Sequence, residues 1–331
     1  MSINIPSKWN DRITEAVQSA GYAMAMESMD YQPLLIEERS NAAAVYIRGR
    51  GGLLERFKMR ATAYLNDYTI DSLKWITDIL KQEHVPIARF GDTMFGADDP
   101  SGLEAFGADV VKRYSFVTDL TLDEDAWLAG MNKNLRRDYR KSLRSDVRVH
   151  EILTAEDVKN YFDLSNVTTQ RVRKEKYYTQ YPLEFFQAIA AMKSSDQAFM
   201  LLAKTGEEGN EDVLAGGIFV MNGKKALYYH GCSTRDRKHM PKQAPTLLLF
   251  NALVHAKARG CTHFDWGGVD PNASKEDSVY RIYRYKKRWG GEPVEFYTGE
   301  YTVSEPVVWL QEKILIPAYS KWSVMKQARR N

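Results

Sequence analysis

The sequence predicts an α/β protein built as two tandem halves, each a mixed sheet covered by helices. Three observations predict it. The chain has 331 residues, long for one compact domain and natural for two. Stretches that alternate apolar and polar residues, the mark of half-buried strands, are interspersed with stretches of helical period. Asn222-Gly223 is a strong two-residue hairpin signal, and strand and helix signals follow it in turn.

The first half opens with a predicted helix over Trp9–Ala20, stopped by Gly21. Strands are predicted over Pro33–Glu38 and Ala43–Arg48, where Ala43, Val45 and Ile47 alternate with Ala44, Tyr46 and Arg48. Gly49, Gly51 and Gly52 break that pattern. Asp71 is placed to cap a helix whose Leu73, Ile76 and Leu80 share one face. A strand over Val85–Phe90, a loop rich in Gly and Asp, and an alternating stretch over Tyr114–Leu122 complete this half.

The second half reads as a strand over Val147–Leu153, helices over about 155–193, and a strand over Ala198–Ala203. The hairpin pairs Val213–Met221 with Lys225–Cys232. A helix over Pro245–Ala258 ends at Gly260, and a short strand over Thr262–Trp266 comes next. A helix over Ser278–Trp289 and a strand over Val294–Thr298 close the half. Three antiparallel strands, helix, strand, helix, strand is the order of the acetyltransferase-like (GNAT-type) fold. The expected division is therefore 1–145 and 146–302, with 303–331 as a C-terminal helix returning to the first half.

Composition narrows the chemistry. No run of about 18 or more apolar residues is present, so no transmembrane helix is expected. The N-terminal stretch lacks the apolar core of a signal peptide, which points to the cytoplasm. Cys232 and Cys261 make neither a disulfide framework nor a metal ligand set, and the six histidines are scattered. No cofactor is expected. The net charge of +3 does not imply a wholesale nucleic-acid binder, so the local charge clusters carry more information than the sum.

Three stretches of the second half carry a resemblance. Leu214-Ala-Gly-Gly-Ile-Phe-Val leads to Tyr228-Tyr-His-Gly-Cys-Ser. Ala244-Pro-Thr-Leu-Leu-Leu-Phe leads through Ala256 and Gly260 to Phe264-Asp-Trp-Gly-Gly-Val. The third is Tyr285-Lys-Lys-Arg-Trp-Gly-Gly. In this order and at these separations they resemble the Fem family, the transferases that add amino acids from aminoacyl-tRNA to peptidoglycan precursors. The resemblance covers about residues 115–300 well and the first hundred poorly. It implies two acetyltransferase-like halves and an aminoacyl-tRNA donor. It also implies a peptide or cell-wall precursor as acceptor. A monomer is expected.

The residues support that chemistry on their own terms. Lys286 stands among Arg281, Arg284, Lys287 and Arg288. One reading is a solvated basic helix face. The other is a placed cation, because Tyr283, Tyr285 and Trp289 interleave with the charges. Acyl transfer from an ester to an amine passes through a tetrahedral oxyanion, and a fixed cation aimed at it is worth more than any other single group. The resemblance puts the family's critical lysine at Lys286, with Tyr285 replacing a phenylalanine, so Lys286 and Tyr285 are the candidate catalytic pair. Asp265, Arg284 and Trp289 are expected at the substrate site. For Asp265 a buried partner role for nearby arginines is favoured over that of a base. Gly267 and Gly268 either end a strand or let substrate approach the backbone.

Met131–Val147 reads as an amphipathic helix. Met131, Leu135, Tyr139 and Leu143 form an apolar ridge, and Lys133, Arg137, Lys141 and Arg144 lie roughly opposite. Such a cationic face is either solvated surface or a contact for a phosphate-rich substrate. Glu37–Ser40 and Phe90-Gly91-Asp92 fall where the resemblance places acceptor binding, which makes Asp92 a further candidate. The tail over Val307–Arg330 holds Trp309, Leu310, Ile314 and Trp322. It packs on the first half or makes a peripheral membrane contact.

Two other functions compete. A coenzyme-A-dependent N-acyltransferase of the same fold would cradle pyrophosphate on a glycine-rich loop opening a helix. Lys242-Gln-Ala-Pro-Thr has no glycine there, and Pro245 removes one donor. A non-enzymatic RNA- or membrane-surface-binding protein would explain the basic clusters but not the constellation from Asp265 to Gly291.

Overall fold

The computed structural model describes residues 3–38, 41–49, 60–172, 180–207, 209–310 and 313–314. Their backbone forms two compact units of mixed α/β structure. Of the described residues, one draws on those up to Ile13, those within Asp30–Lys112 and those from Phe296 onward; the other on those within Thr14–Met29 and Arg113–Glu295.

In the first unit the strand order is β1 (Tyr31–Glu38), β2 (Asn41–Arg48), β3 (Arg60–Leu65), β4 (Ile87–Phe90) and then the distal part of β11 (Glu292–Thr302). β1, β2 and β3 are antiparallel neighbours. β4 runs parallel to β3, which requires a crossover, and helix Ile70–Gln82 (α2) supplies it. Leu73, Ile76 and Leu80 of α2 are fully buried with Val45, Ile47 and Phe90, so the helical period of the sequence marks the core face. The cap is Thr69, not Asp71: Thr69 Oγ1 accepts from Ser72 N, and Asp71 sits in the first turn. β3 escaped the sequence pattern because two of its three inward positions are Ala61 and Ala63, which bury well but carry little strand signal.

The second unit has strand order β5 (Asp109–Asp119), β10 (His263–Asp265), β9 (Lys225–Ser233), β8 (Asn210–Asn222), β7 (Ala198–Glu207) and β6 (Arg148–Glu151). β6 to β9 are antiparallel, β10 lies parallel to β9, and β5 is antiparallel to β10. The β9–β10 crossover is helix Ala244–Ala258 (α8). Three antiparallel strands, α8 and β10 follow the order expected for an acetyltransferase-like half; its last strand does not, because β5, expected in the first half, lies beside β10, while the expected closing strand over Val294–Thr298 passes from Phe296 to the first unit. The core gathers Phe199, Phe219, Phe264, Trp266 and Trp289 with Leu248 and Phe250 of α8.

The second unit also takes in the basic helix, Lys133–Ser142 (α5), because Leu135 and Tyr139 bury against α8 and Tyr139 stacks on Phe250 at 4.1 Å. The observed division falls at Lys112–Arg113 rather than at 145–146. The expected ridge is shorter than the pattern suggested: Leu143 follows the helix and is 57% exposed.

The N-terminal helix also differs from expectation. Trp9–Asp11 and Ala16–Gln18 are 3-10 turns, and the α-helix, Ala20–Glu27 (α1), begins where Gly21 was expected to stop one. Ser19 caps it, its Oγ accepting from Tyr22 N at 3.1 Å. Gly21 serves close packing instead, since a Cβ there would overlap the Met192 side chain.

Of the expected tail helix, Glu305–Leu310 (α10) is helical, with Trp309 58% exposed. Residues 311–312 and 315–331 lie outside the described residues, as do Gly51, Gly52, Arg39, Ser40 and the 173–179 part of the expected 155–193 helices. Among the described residues, no helix is long and apolar enough to cross a membrane.

Candidate functional site

β10 ends in a turn that its own side chains fix. Asp265 is 4% exposed, and its carboxylate accepts from Ser115 Oγ and, at 2.7 Å, from Gly267 N. Gly267 takes φ 75°, a conformation that favours glycine and turns the chain away from the strand. Trp266 donates from Nε1 to Thr118 Oγ1 at 2.9 Å and stacks on Trp289 at 4.5 Å. The Gly268 carbonyl is thereby presented to the helix that follows.

That helix, Ser278–Lys287 (α9), starts at Asp277, whose Oδ1 accepts from Val279 N at 3.0 Å. Its apolar side packs Tyr283 against Phe116. Lys286 Nζ donates to Gly268 O at 3.1 Å. Burial strips water from this ammonium and lowers its pKa to about 8, against the opposing pull of the Asp265 carboxylate. The neighbouring Tyr285 phenol is pushed up to about 12 by burial, so it stays a neutral hydroxyl throughout the physiological range.

Tyr285 lines a cleft of about 480 Å³ at the end of β9 and the start of α8. Ser233, Thr234, Gln243, Thr246 and Arg288 share its wall. Gln243 precedes α8 in the left-handed region at φ 56°, and its carbonyl accepts from Thr246 N at 2.9 Å. The positive end of a 15-residue helix, with Arg235 and Arg288 beside it, makes the cleft favourable to a polar or anionic ligand.

A cationic groove adjoins the cleft, and a second adjoins that groove. One, of about 670 Å³, has Arg137, Asp138, Arg284, Lys287 and Arg288 in its lining. The other, of about 850 Å³, runs along α5 with Lys133, Arg136, Arg140, Lys141 and Arg144. Arg137 lines both. Among the described residues, Lys133, Arg140, Lys141 and Arg144 have no carboxylate within ion-pair distance (4.0 Å), so their charge is available to a ligand.

The second unit thus brings together Asp265, Arg284, Tyr285, Lys286 and the α5 cations. Trp289 is core, stacked under the site rather than open to it. Asp92 belongs to the first unit. Its carboxylate accepts from Tyr64 Oη at 2.8 Å and from Met94 N and Phe95 N at 2.7 and 2.9 Å, which fastens a tight turn. Burial raises its pKa in spite of those bonds. Sequence reasoning missed Arg288, Asp138 and Gln243 as site residues. Arg288 could have been found from its place three residues after Tyr285, one helical turn along the same face. Gln243 carries no such signal.

Residues 187–307 match the model of the FemAB family. The FemAB segment takes in β7 to β10, α8 and α9, and so the whole Lys286 turn and most of the cleft; the basic helix α5 lies before it. The resemblance read from the three sequence stretches is borne out over this segment. A relative from Staphylococcus saprophyticus, a lipid II:glycine glycyltransferase, is 32% identical over 78 residues, 23% of this chain and 18% of that protein. One of the same name from Staphylococcus epidermidis is 29% identical over 106 residues, 30% of this chain and 24% of that protein. The matched stretch therefore spans a quarter or less of these relatives. The solved structure of FemX shares the fold at TM-score 0.73 and 15% identity, over 95% of this chain and 99% of that one.

Proposed function

We propose that this chain is an aminoacyltransferase that moves an amino acid from aminoacyl-tRNA to an amine of a cell-wall precursor. The observation that carries the reading is Lys286. Its ammonium is half-buried, tied to the Gly268 carbonyl, and has a pKa lowered to about 8. The same helix contributes Tyr285 and, at its end, Arg288 to the cleft. The relatives named lipid II:glycine glycyltransferases support an amino acid as the group moved and a peptidoglycan precursor as acceptor. The cationic grooves beside the cleft support a donor rich in phosphate. The start of α8 supports it over coenzyme A, because Pro245 lacks the amide that a pyrophosphate cradle would use.

The neutral acceptor amine attacks the ester carbonyl. Negative charge then develops on the carbonyl oxygen, where a protonated Lys286 is the stabilising group. Collapse breaks the ester C–O bond, forms the amide, and releases the tRNA hydroxyl with a proton taken, in net, from the amine. A lysine of pKa about 8 is cationic at neutral pH yet gives up a proton more readily than an ordinary one. Tyr285, held neutral, can donate its hydroxyl within the cleft.

The test is transfer of a radiolabelled amino acid to a peptidoglycan-precursor amine by the purified protein. Transfer that requires charged tRNA is the expected result. Transfer from a coenzyme A thioester without tRNA would overturn the donor assignment.

A further inference from the structure

The 670 Å³ groove and the 480 Å³ cleft have two lining residues in common, Asp138 of α5 and Arg288 at the end of α9. They are an ion pair, with Arg288 Nη2 2.9 Å from Asp138 Oδ2. Asp138 also faces Arg137, whose Nη2 lies 3.7 Å from its other oxygen. The remaining charged residues of the groove lining, Arg284 and Lys287, are cations, so Asp138 is the one carboxylate in that wall. The backbones beneath are held together, because Asn132 N donates to Arg288 O at 2.9 Å.

A lone acid among cations at the junction of two cavities has a double effect. It neutralises Arg288 while the site is empty, and it repels a phosphate that enters. A phosphate offers the guanidinium fork the same two-oxygen geometry as a carboxylate. Exchange of one for the other leaves Arg288 paired. The displaced Asp138 has Arg137 within reach, so it need not remain unpaired.

Resting on the functional reading above, we propose that Asp138 and Arg288 form a gate between the phosphate-binding groove and the cleft. A phosphate of the donor strand takes the place of Asp138 on Arg288, and Asp138 passes to Arg137. Arg288 is then a positioning residue that sets the register of the strand beside the cleft.

The probe is a short, fluorescein-labelled single-stranded RNA, its binding followed by anisotropy as a function of salt. Asp138→Asn should bind it roughly 2- to 5-fold more tightly, the scale expected when one like charge is removed beside a phosphate. Arg288→Gln should weaken binding by a similar factor and reduce the salt slope by about one. The double variant should behave as Arg288→Gln alone, because Asp138 acts through Arg288. Arg288→Lys, which keeps the charge and loses the fork, should retain the salt slope. Thermal melting checks that each variant is folded. An unchanged Asp138→Asn, strictly additive effects in the double variant, or no RNA binding by the wild type each overturns the gate. Turnover of Lys286→Met reports separately on the transfer reading, so a failed gate with an intact lysine dependence removes the gate alone.

Discussion

Gly290 lies so close to Gly130 that a Cβ on Gly290 would overlap the Gly130 carbonyl oxygen. Gly290 also takes φ 79°, in the left-handed region. These two glycines let the end of α9 press against the turn that opens α5, and so join the lysine-bearing helix to the basic one. Gly290→Ala should destabilise the protein by about 2–4 kcal/mol, combining left-handed strain with a backbone clash. Gly260→Ala is the control. Its φ is 82°, but a Cβ there has nothing within 4 Å, so only the strain of about 1–2 kcal/mol remains. Urea unfolding of both variants decides, and equal losses would mean that the Gly130 contact does not matter.

Lys133, Arg137, Arg140 and Lys141 of α5 are exposed, and Lys133 and Lys141 have no acidic partner among the described residues. A purely structural role would leave donor binding untouched by their reversal. A Lys133→Glu, Lys141→Glu double variant should raise the KM for charged tRNA by roughly tenfold or more, with kcat much less affected. Raised salt should do the same to the wild type, because each phosphate contact releases counterions. An unchanged KM without salt dependence would show the face to be solvated surface.

What the sequence revealed and what it hid follow from where local pattern and tertiary packing agree. β8, β9 and the turn between them were legible because Asn222-Gly223 and alternating residues state the same hairpin. α8 was legible from its Ala-Pro start and Gly260 end, although it is buried on nearly every side. Gly21 misled because a glycine needed for close approach to Met192 looks, in sequence, like a helix stop. β3 was hidden by its alanines. In the candidate site, Lys286 and Tyr285 were singled out through their motif. Asp138 was not, since in sequence it is one acid diluting a basic helix. Only its 2.9 Å pairing with Arg288, 150 positions away, gives it a place. The joining of Thr14–Met29 to the second unit has the same origin: Tyr22 Oη meets Tyr229 Oη at 3.0 Å, a contact that no local pattern announces.

Lys286 and Lys287 are neighbours on α9 with different surroundings, which makes them a matched pair for a catalytic test. Lys286 Nζ is half-buried against Gly268 O, whereas Lys287 is exposed and reaches only Tyr283 Oη, at 3.2 Å. Lys286→Met should lower kcat by on the order of 10²–10³, the usual loss when one oxyanion stabiliser is removed. KM for the acceptor should change much less, because this interaction is strongest in the transition state. Lys287→Met should be mild. The pH profile gives an independent readout. The lysine acts as a cation, so the single-turnover rate of the wild type should fall as pH rises through about 8, and that fall should vanish in Lys286→Met. Unfolding cannot mimic the result. The folded pKa of Lys286 is depressed from 10.5 to about 8, so between those values the unfolded chain binds more protons and stability rises with pH. The cost of holding a buried ammonium is therefore present in full below about pH 8, and Lys286→Met removes it. The variant should be at least as stable as the wild type at neutral pH, and that advantage should shrink between pH 8 and 10.5. Equal losses of kcat in the two methionine variants would point to general electrostatics rather than a placed cation.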